Sequence, residues 1–174
     1  MANTFTLISS NTLTSRTATI SASAIPATYT DLQILLSLRF YGSGGATSGD
    51  LTFRLNSLST SIYSYRYVQG NGASATSSST SGNTQFNIPN ACCSDTATAN
   101  TFSNISIYIP NYAAAINKAI FVDAAQETNA TTAYRNANAL LLSSTAAIDS
   151  ISMTGPYSGW ETGSSISIYG IKKS

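Results

Sequence analysis

Between positions 31 and 39, apolar side chains occupy every second position. They are Leu32, Ile34, Leu36 and Leu38. A period of two is typical of a β-strand, because successive side chains of a strand point to opposite faces. Pro26, which cannot donate a backbone hydrogen bond, marks a turn before this run. Because Leu35 is apolar on the opposite side, we predict a central strand packed on both faces, with a loop or another subunit covering Leu35.

The same alternation recurs along the chain. It is found in the segments TFTLIS, TATISAS, LTFRL, NISIYI and SISIYGI. The segment Lys118–Gln126 follows an alanine-rich stretch that would also suit a helix. We predict a strand there, because Ile120 and Val122 alternate with Phe121, which points the other way.

Turn-forming residues separate these runs. The stretches YGSGGATSGD, QGNGASATSSSTSGN and TGPYSGWETGSS are dense in Gly, Ser and Asn and are predicted to be loops. Short strands that recur about every 10–15 residues are the pattern of a sandwich or barrel. We predict an all-β fold: one antiparallel β-sandwich of jelly-roll type that includes residues 1–174. Other Greek-key sandwiches share this pattern.

The composition favours an assembling or adhesive protein. Charged residues make up 9% of the chain, against about 25% in an average soluble domain, and the 52 Ser and Thr residues supply most of the polarity. Hydroxyl groups cost less to desolvate than charges, so such a surface can be pressed against a neighbour. The net charge of +1 offers no basic field for nucleic acid or anionic lipid.

Targeting signals are not evident. The start MANTFTLISS lacks the basic and apolar regions of a signal peptide, and no run approaches the roughly 20 apolar residues that span a bilayer. We expect a protein that is made in the cytoplasm, stays soluble and does not associate with membranes.

The residue types that carry most catalysis are scarce. The sequence contains no histidine, no GxSxG elbow, no phosphate-binding loop and no calcium loop. Asp123 and Glu127 are close enough in sequence to share one side of a strand. A glycosidase would need such carboxylates across a cleft, but a solvated edge or a salt bridge is the simpler interpretation. We predict no enzyme activity, no cofactor and no metal.

Three further patterns have structural interpretations. The adjacent cysteines Cys92 and Cys93 are predicted to be reduced thiols at a strand edge or in a loop, because neighbouring cysteines seldom pair. The glycine-rich 42–45 segment is a loop. The glycosylation patterns at Asn104 and Asn129 are those expected by chance in a chain so rich in Ser and Thr.

Aromatic residues are the best candidates for contacts. Tyr63, Tyr65 and Tyr67 share one face of a predicted strand, where they could face the core, a neighbouring subunit or a sugar. Tyr157 and Trp160 lie in the loop TGPYSGWETG. They could anchor a ligand or partner, but the simpler interpretation is that Trp160 caps the end of the sandwich.

Four segments resemble small virion-associated proteins of tailed bacteriophages of marine and freshwater bacteria, including cyanophages. They are IPATYTDL (25–32), SNISIYIPNYA (103–113), NATTAY (129–134) and SIYGIKKS (167–174). The resemblance spans nearly the whole chain. It implies a jelly-roll-type sandwich on the particle surface, on the head or the tail, and it carries no functional residue.

Two main hypotheses follow. In the first, the protein is a capsid decoration, or cement, protein bound in many copies to the major capsid protein or other virion proteins, as a homo-oligomer for which a trimer would match local threefold positions. Lys172 and Lys173 could then pair with acidic shell residues. In the second, it is a tail fibre or adhesin module that stacks the same aromatics on a host surface glycan. A depolymerase is a third, weaker hypothesis.

Overall fold

The computed structural model describes residues 4–42, 44–129 and 132–172. Within these ranges the chain forms thirteen strands and no helix, and so no helix that could cross a membrane. The strands are β1 (Phe5–Thr12), β2 (Thr19–Ala22), β3 (Asp31–Tyr41), β4 (Ser48–Leu55), β5 (Tyr63–Gly70), β6 (Ala75–Asn83), β7 (Phe86–Ser94), β8 (Ser103–Ile109), β9 (Lys118–Gln126), β10 (Tyr134–Leu142), β11 (Ile151–Thr154), β12 (Gly159–Trp160) and β13 (Ser165–Ile171).

The strands form a β-sandwich of two sheets that are joined through β3. The large sheet has the order β1-β13-β3-β8-β9-β10-β5-β6 and is antiparallel throughout. The small sheet has the order β2-β11-β4-β7, followed by the end of β3 and then β12. The predicted all-β sandwich is confirmed, with one parallel pairing, in which Arg39 and Phe40 of β3 lie beside β7.

Strand β3 is central, as its sequence pattern predicts. All four alternating side chains from Leu32 to Leu38 are buried between the sheets. Complete burial of each such side chain contributes about 1.5–3 kcal/mol. The expectation that Leu35 is also covered is not met within this chain, because its side chain remains 43% exposed on the outer side of the large sheet.

Arg39 fixes the point where β3 leaves the large sheet. Its buried guanidinium donates hydrogen bonds to the carbonyl oxygens of Ala97 (3.1 Å), Thr98 (2.9 Å) and Thr101 (2.7 Å). The backbone N–H of Arg39 donates to Ser164 Oγ, and that hydroxyl donates in turn to the Arg39 carbonyl oxygen. Several partners therefore compensate the desolvation of the charge, as burial of a charged group requires.

The alanine-rich stretch is not helical. Strand β9 has the predicted bounds, with Ile120 and Val122 buried and Phe121 exposed. The residues before β9 form turns. The Lys118 ammonium stabilises these turns by donating a hydrogen bond to the carbonyl oxygen of Ala114 at 2.7 Å. Burial lowers the pKa of Lys118.

One predicted loop is a strand. The segment Ala75–Asn83 forms β6 at the edge of the large sheet, paired along β5. The prediction was wrong because this strand carries Ser and Thr instead of apolar residues. An edge strand exposed on both faces does not need the apolar alternation on which the prediction depended.

We expect Leu36→Ala to lower the free energy of unfolding by about 2–5 kcal/mol, because it leaves a cavity between the sheets. The matched control is Leu35→Ala in the same strand, which removes a half-exposed side chain and is expected to cost less than about 1 kcal/mol. Urea unfolding followed by circular dichroism measures both changes. Equal losses for the two variants would contradict the assignment of the two faces of β3.

Candidate functional site

The predicted tyrosine row faces the small sheet. Tyr63 is fully buried, with its ring edge-on to Phe86 of β7 at 4.8 Å between centroids. Its hydroxyl donates to the carbonyl oxygen of Leu58 at 2.9 Å. Tyr63 is therefore a core residue that links the two sheets, and the hypothesis of a sugar platform is wrong for it.

Tyr65 and Tyr67 follow Tyr63 on the inner face of β5 and are partly buried. Burial is the main cause that raises the pKa of Tyr65, and the nearby carboxylate of Asp50 raises it further. Tyr65 also packs against the core between the sheets. The row is thus directed inward along its length, in accordance with the alternative interpretation as core.

Trp160 is not an exposed anchor. Its side chain is 0% exposed, and its indole Nε1–H donates to the carbonyl oxygen of Met153 at 3.1 Å. Its backbone N–H donates to Thr17 at 2.7 Å. The preceding Gly159 has φ +128°, and a Cβ there would come within 2.4 Å of the Thr17 oxygen, so only glycine allows this close approach. The prediction of a loop tryptophan available to a ligand is therefore wrong.

Tyr157 is exposed, as predicted. Its side chain is 64% exposed, and its ring stacks on Phe40 with a centroid distance of 5.5 Å and an angle of 15°. Of the five predicted aromatics, it is the one that remains available on the surface. Its ring packs on Phe40 of β3, whereas Tyr63 and Tyr65 of β5 pack into the core between the sheets.

Cys92 and Cys93 lie inside β7 and not at an edge or in a loop. Both thiols are free and fully buried, because the two faces of β7 are covered at this point. The Cys93 thiol donates to the carbonyl oxygen of Thr101 at 3.1 Å. Burial raises the pKa of Cys92 well above its ordinary value, since the thiolate would be desolvated.

The carboxylates Asp123 and Glu127 do not face each other across a cleft. Asp123 forms an ion pair with Arg135 on the exposed side of the large sheet, with Oδ2 accepting from a guanidinium nitrogen at 2.7 Å. Glu127 lies beyond the end of β9, where Oε1 accepts from the backbone N–H of Asn129 at 2.7 Å. The salt-bridge interpretation is confirmed for Asp123. The described ranges hold no group of three residues that could bind a metal.

The outward side of the large sheet carries several exposed apolar side chains. We call this side the outer face. Its large apolar members are Leu35, Val68, Phe121 and Leu141. Phe121, which is 50% exposed, lies in register between Tyr108 of β8 and Ala139 of β10. The Asp123–Arg135 ion pair neutralises two of the charges on this surface.

A second surface feature is a polar cleft at one end of the sandwich. We call it the amide cleft. It has a volume of about 230 Å³ and is lined by Gln69, Asn71, Ser74, Thr76, Asn90 and Tyr134. The β5–β6 hairpin supplies one wall and β7 the opposite one, so the cleft lies where the two sheets separate. Its lining contains amides, hydroxyls and one aromatic ring, and no charged group.

Behind the cleft the interior is polar. Gln69 is 6% exposed and Asn136, its cross-strand neighbour on β10, is 1% exposed. The amide nitrogen of Gln69 and both polar side-chain atoms of Asn136 have no hydrogen-bond partner. The side-chain oxygen of Asn138 is unpartnered as well. Unpartnered buried amides are uncommon, because each costs about 1–3 kcal/mol.

The opposite wall of the cleft is rigidly held. Asn90 adopts φ +49°, and its backbone N–H donates to Asp50 Oδ1 at 2.9 Å. Its side-chain oxygen accepts from Ser48 Oγ at 3.0 Å, and its carbonyl oxygen accepts from Gln126 of the large sheet at 3.3 Å. Asn90 is thus fixed by both sheets.

The sequence contains a signal for the amide cleft that the apolar pattern does not reveal. In YRNANALLL, Asn136 and Asn138 lie on the same face of the strand as Leu140 and Leu142, which point inward. Gln69 likewise continues the inward parity of the tyrosines on β5. An amide at an inward position of a strand indicates a polar interior, but the pairing of β5 with β10 is needed to bring these amides together.

Comparison with known proteins does not narrow the function. No protein-family model matches the chain, and no curated protein matches it. Function must therefore be inferred from the chain's own residues.

The buried position of Trp160 predicts a fluorescence signature, because it is the single tryptophan of the chain. We expect an emission maximum at shorter wavelength than in the urea-unfolded protein, and little quenching by iodide. Trp160→Phe supplies the tyrosine background. Strong iodide quenching of the folded protein would show that the indole reaches solvent.

The buried thiols predict slow modification. At mildly alkaline pH the folded protein is expected to react with a thiol reagent far more slowly than the urea-unfolded protein, because the raised pKa of Cys92 disfavours the reactive thiolate and access is blocked for both residues. Absorbance at the released chromophore measures both rates. Comparable rates in the two states would contradict burial within β7.

Proposed function

We propose that this chain is a structural protein of a bacteriophage virion, bound in many copies to the particle head as a capsid decoration protein. The resemblance of four segments to small virion proteins supports the setting. In this role the protein fills gaps between shell subunits and acts without catalysis.

The observation that carries the proposal is the outer face. It is a broad surface with apolar side chains spread over several adjacent strands, including Leu35 of β3, Phe121 of β9 and Val68 of β5. Exposed apolar side chains on one side of a sheet, here interspersed with small polar residues such as Ser106 and Ser167, favour protein interaction there. Asp123 and Arg135 already neutralise each other, so Arg66 of β5 is the exposed charge on this side that a shell subunit would have to satisfy.

The edges of the large sheet support self-association. Strand β6 pairs with β5 on one side only, and β1 pairs with β13 on one side only. Neither strand contains a charged residue or a proline, the devices that usually prevent edge-to-edge pairing. Pairing of edges between copies would give a closed ring if the rotation closes, and a trimer would fit a local threefold position of a shell.

A second candidate function is a tail fibre or adhesin module that recognises host surface glycan. The sequence supported this function through aromatic side chains that could stack on sugar rings. Trp160 and Tyr63 are buried, so they cannot stack on a glycan. The amide cleft provides a different and more specific argument for it.

The location is tested by counting copies in purified virions. Quantitative mass spectrometry against the major capsid protein should give a ratio near a simple fraction of the shell subunit number. A few copies per particle would instead indicate a tail component. Absence from purified particles would refute the virion role.

Docking through the outer face is tested with Phe121→Glu. We expect this variant to lose most of its binding to capsids that lack the protein, because a carboxylate buried against the shell would be desolvated without a partner. Co-sedimentation with such capsids measures the loss, and thermal melting checks that the variant is folded.

The control is Thr145→Glu, which adds the same charge at an exposed loop position outside the large sheet. It should co-sediment like the unmodified protein. If Phe121→Glu is folded and binds as well as this control, the outer face is not the docking surface.

A further inference from the structure

We propose that the amide cleft binds a neutral saccharide unit. The site is distinct from the outer face, since its lining residues lie between the sheets at their open end, and it does not depend on how the protein docks on a particle. None of the aromatics predicted from the sequence takes part in its lining.

The first argument is the unpartnered amide of Gln69. The side chain lines the cleft, is more than nine-tenths buried, and has an amide nitrogen without any hydrogen-bond partner. Its terminal torsion is broad, so a modest rotation offers this N–H to a ligand hydroxyl. Asn136 beside it has both a donor and an acceptor unpaired. An apolar side chain at either position would remove the penalty, so the amides are better explained by a ligand than by stability.

The second argument is the chemistry of the lining. Amides and hydroxyls both donate and accept hydrogen bonds, which matches the hydroxyl groups of a sugar. No charged side chain lines the cleft. Asp50, which holds Asn90 on one wall, is occupied by the Asn87 side-chain amide at 3.0 Å and by the Asn90 backbone N–H at 2.9 Å. The lining therefore favours a neutral ligand over a phosphate, a carboxylate or a metal ion.

The third argument is preorganisation. Asn90 is fixed by its contacts with Ser48, Asp50 and Gln126. On the opposite wall, Asn71 Oδ1 accepts from the backbone N–H groups of Ala73 at 3.0 Å and Ser74 at 2.8 Å, which holds the tip of the β5–β6 hairpin. Groups that are already held in place lose little conformational freedom when a ligand binds.

The size of the cleft sets the extent of the ligand. The cleft has a volume of about 230 Å³. It is smaller than the roughly 300–1,000 Å³ of sites for drug-sized molecules. One sugar ring fits this space, and Tyr134 supplies an aromatic surface for its apolar face.

The test uses the full chain and a panel of four neutral monosaccharides: glucose, galactose, mannose and N-acetylglucosamine. Saturation-transfer NMR measures their binding, and a glycan array tests larger saccharides. At least one panel member is expected to bind saturably. Gln69→Met should weaken that binding by at least about tenfold, which corresponds to about 1.4 kcal/mol. The same variant should melt at the same or a higher temperature, because it removes a buried unpartnered amide.

Ser78→Ala is the matched control, since Ser78 is an exposed residue of β6 that does not line the cleft. It should bind like the unmodified protein. Three results would overturn the proposal: no saturable binding of any panel or array member, unchanged binding by Gln69→Met, or a marked loss of stability in Gln69→Met, which would show that ordered water already satisfies the amide.

Discussion

The sandwich depends on one strand that belongs to both sheets. Most of β3 lies in the centre of the large sheet between β13 and β8, and its end pairs with β7 and β12 of the small sheet. Arg39 marks the transition, where its guanidinium is held by three carbonyl oxygens of the segment 97–101. Because β3 fixes the two sheets to each other, it also fixes which face of every paired strand is enclosed.

This enclosure has an apolar centre and a polar end. Near β3 the space between the sheets holds leucine and isoleucine side chains, and the ring of Tyr63 meets Phe86 across it. Towards the β5–β6 hairpin the inward positions become Gln69, Asn136 and Asn138. The apolar part of the interior is fully packed and stabilises the fold. The polar part, where the sheets separate, contains amide groups without hydrogen-bond partners. That arrangement is why the amide cleft is the more specific of the two candidate surfaces.

The outer face and the amide cleft represent different kinds of recognition. The outer face is broad and carries exposed apolar side chains with few charges, which suits a large protein surface that excludes water over many side chains. The amide cleft is small and lined by groups that both donate and accept hydrogen bonds, which suits a single polar ring. A particle protein could use both at once, because the outer face belongs to the outward side of the large sheet and the cleft to the space behind it.

The amino-acid pattern alone is enough to predict the all-β class, the low charge, and which residues of the strongest strands share a face. The alternation of Leu32 to Leu38 and of Ile120 and Val122 was read correctly, since the period of a strand is a local property. The apolar pattern could not reveal β6, because this edge strand carries mainly Ser and Thr side chains. Nor could it show that Tyr63 and Trp160 are enclosed or that Leu35 is uncovered. A period of two defines two faces for each strand, but only the pairing of distant strands decides which face meets the other sheet. The amide cleft, built from β5, β6, β7 and β10, exists only after that pairing.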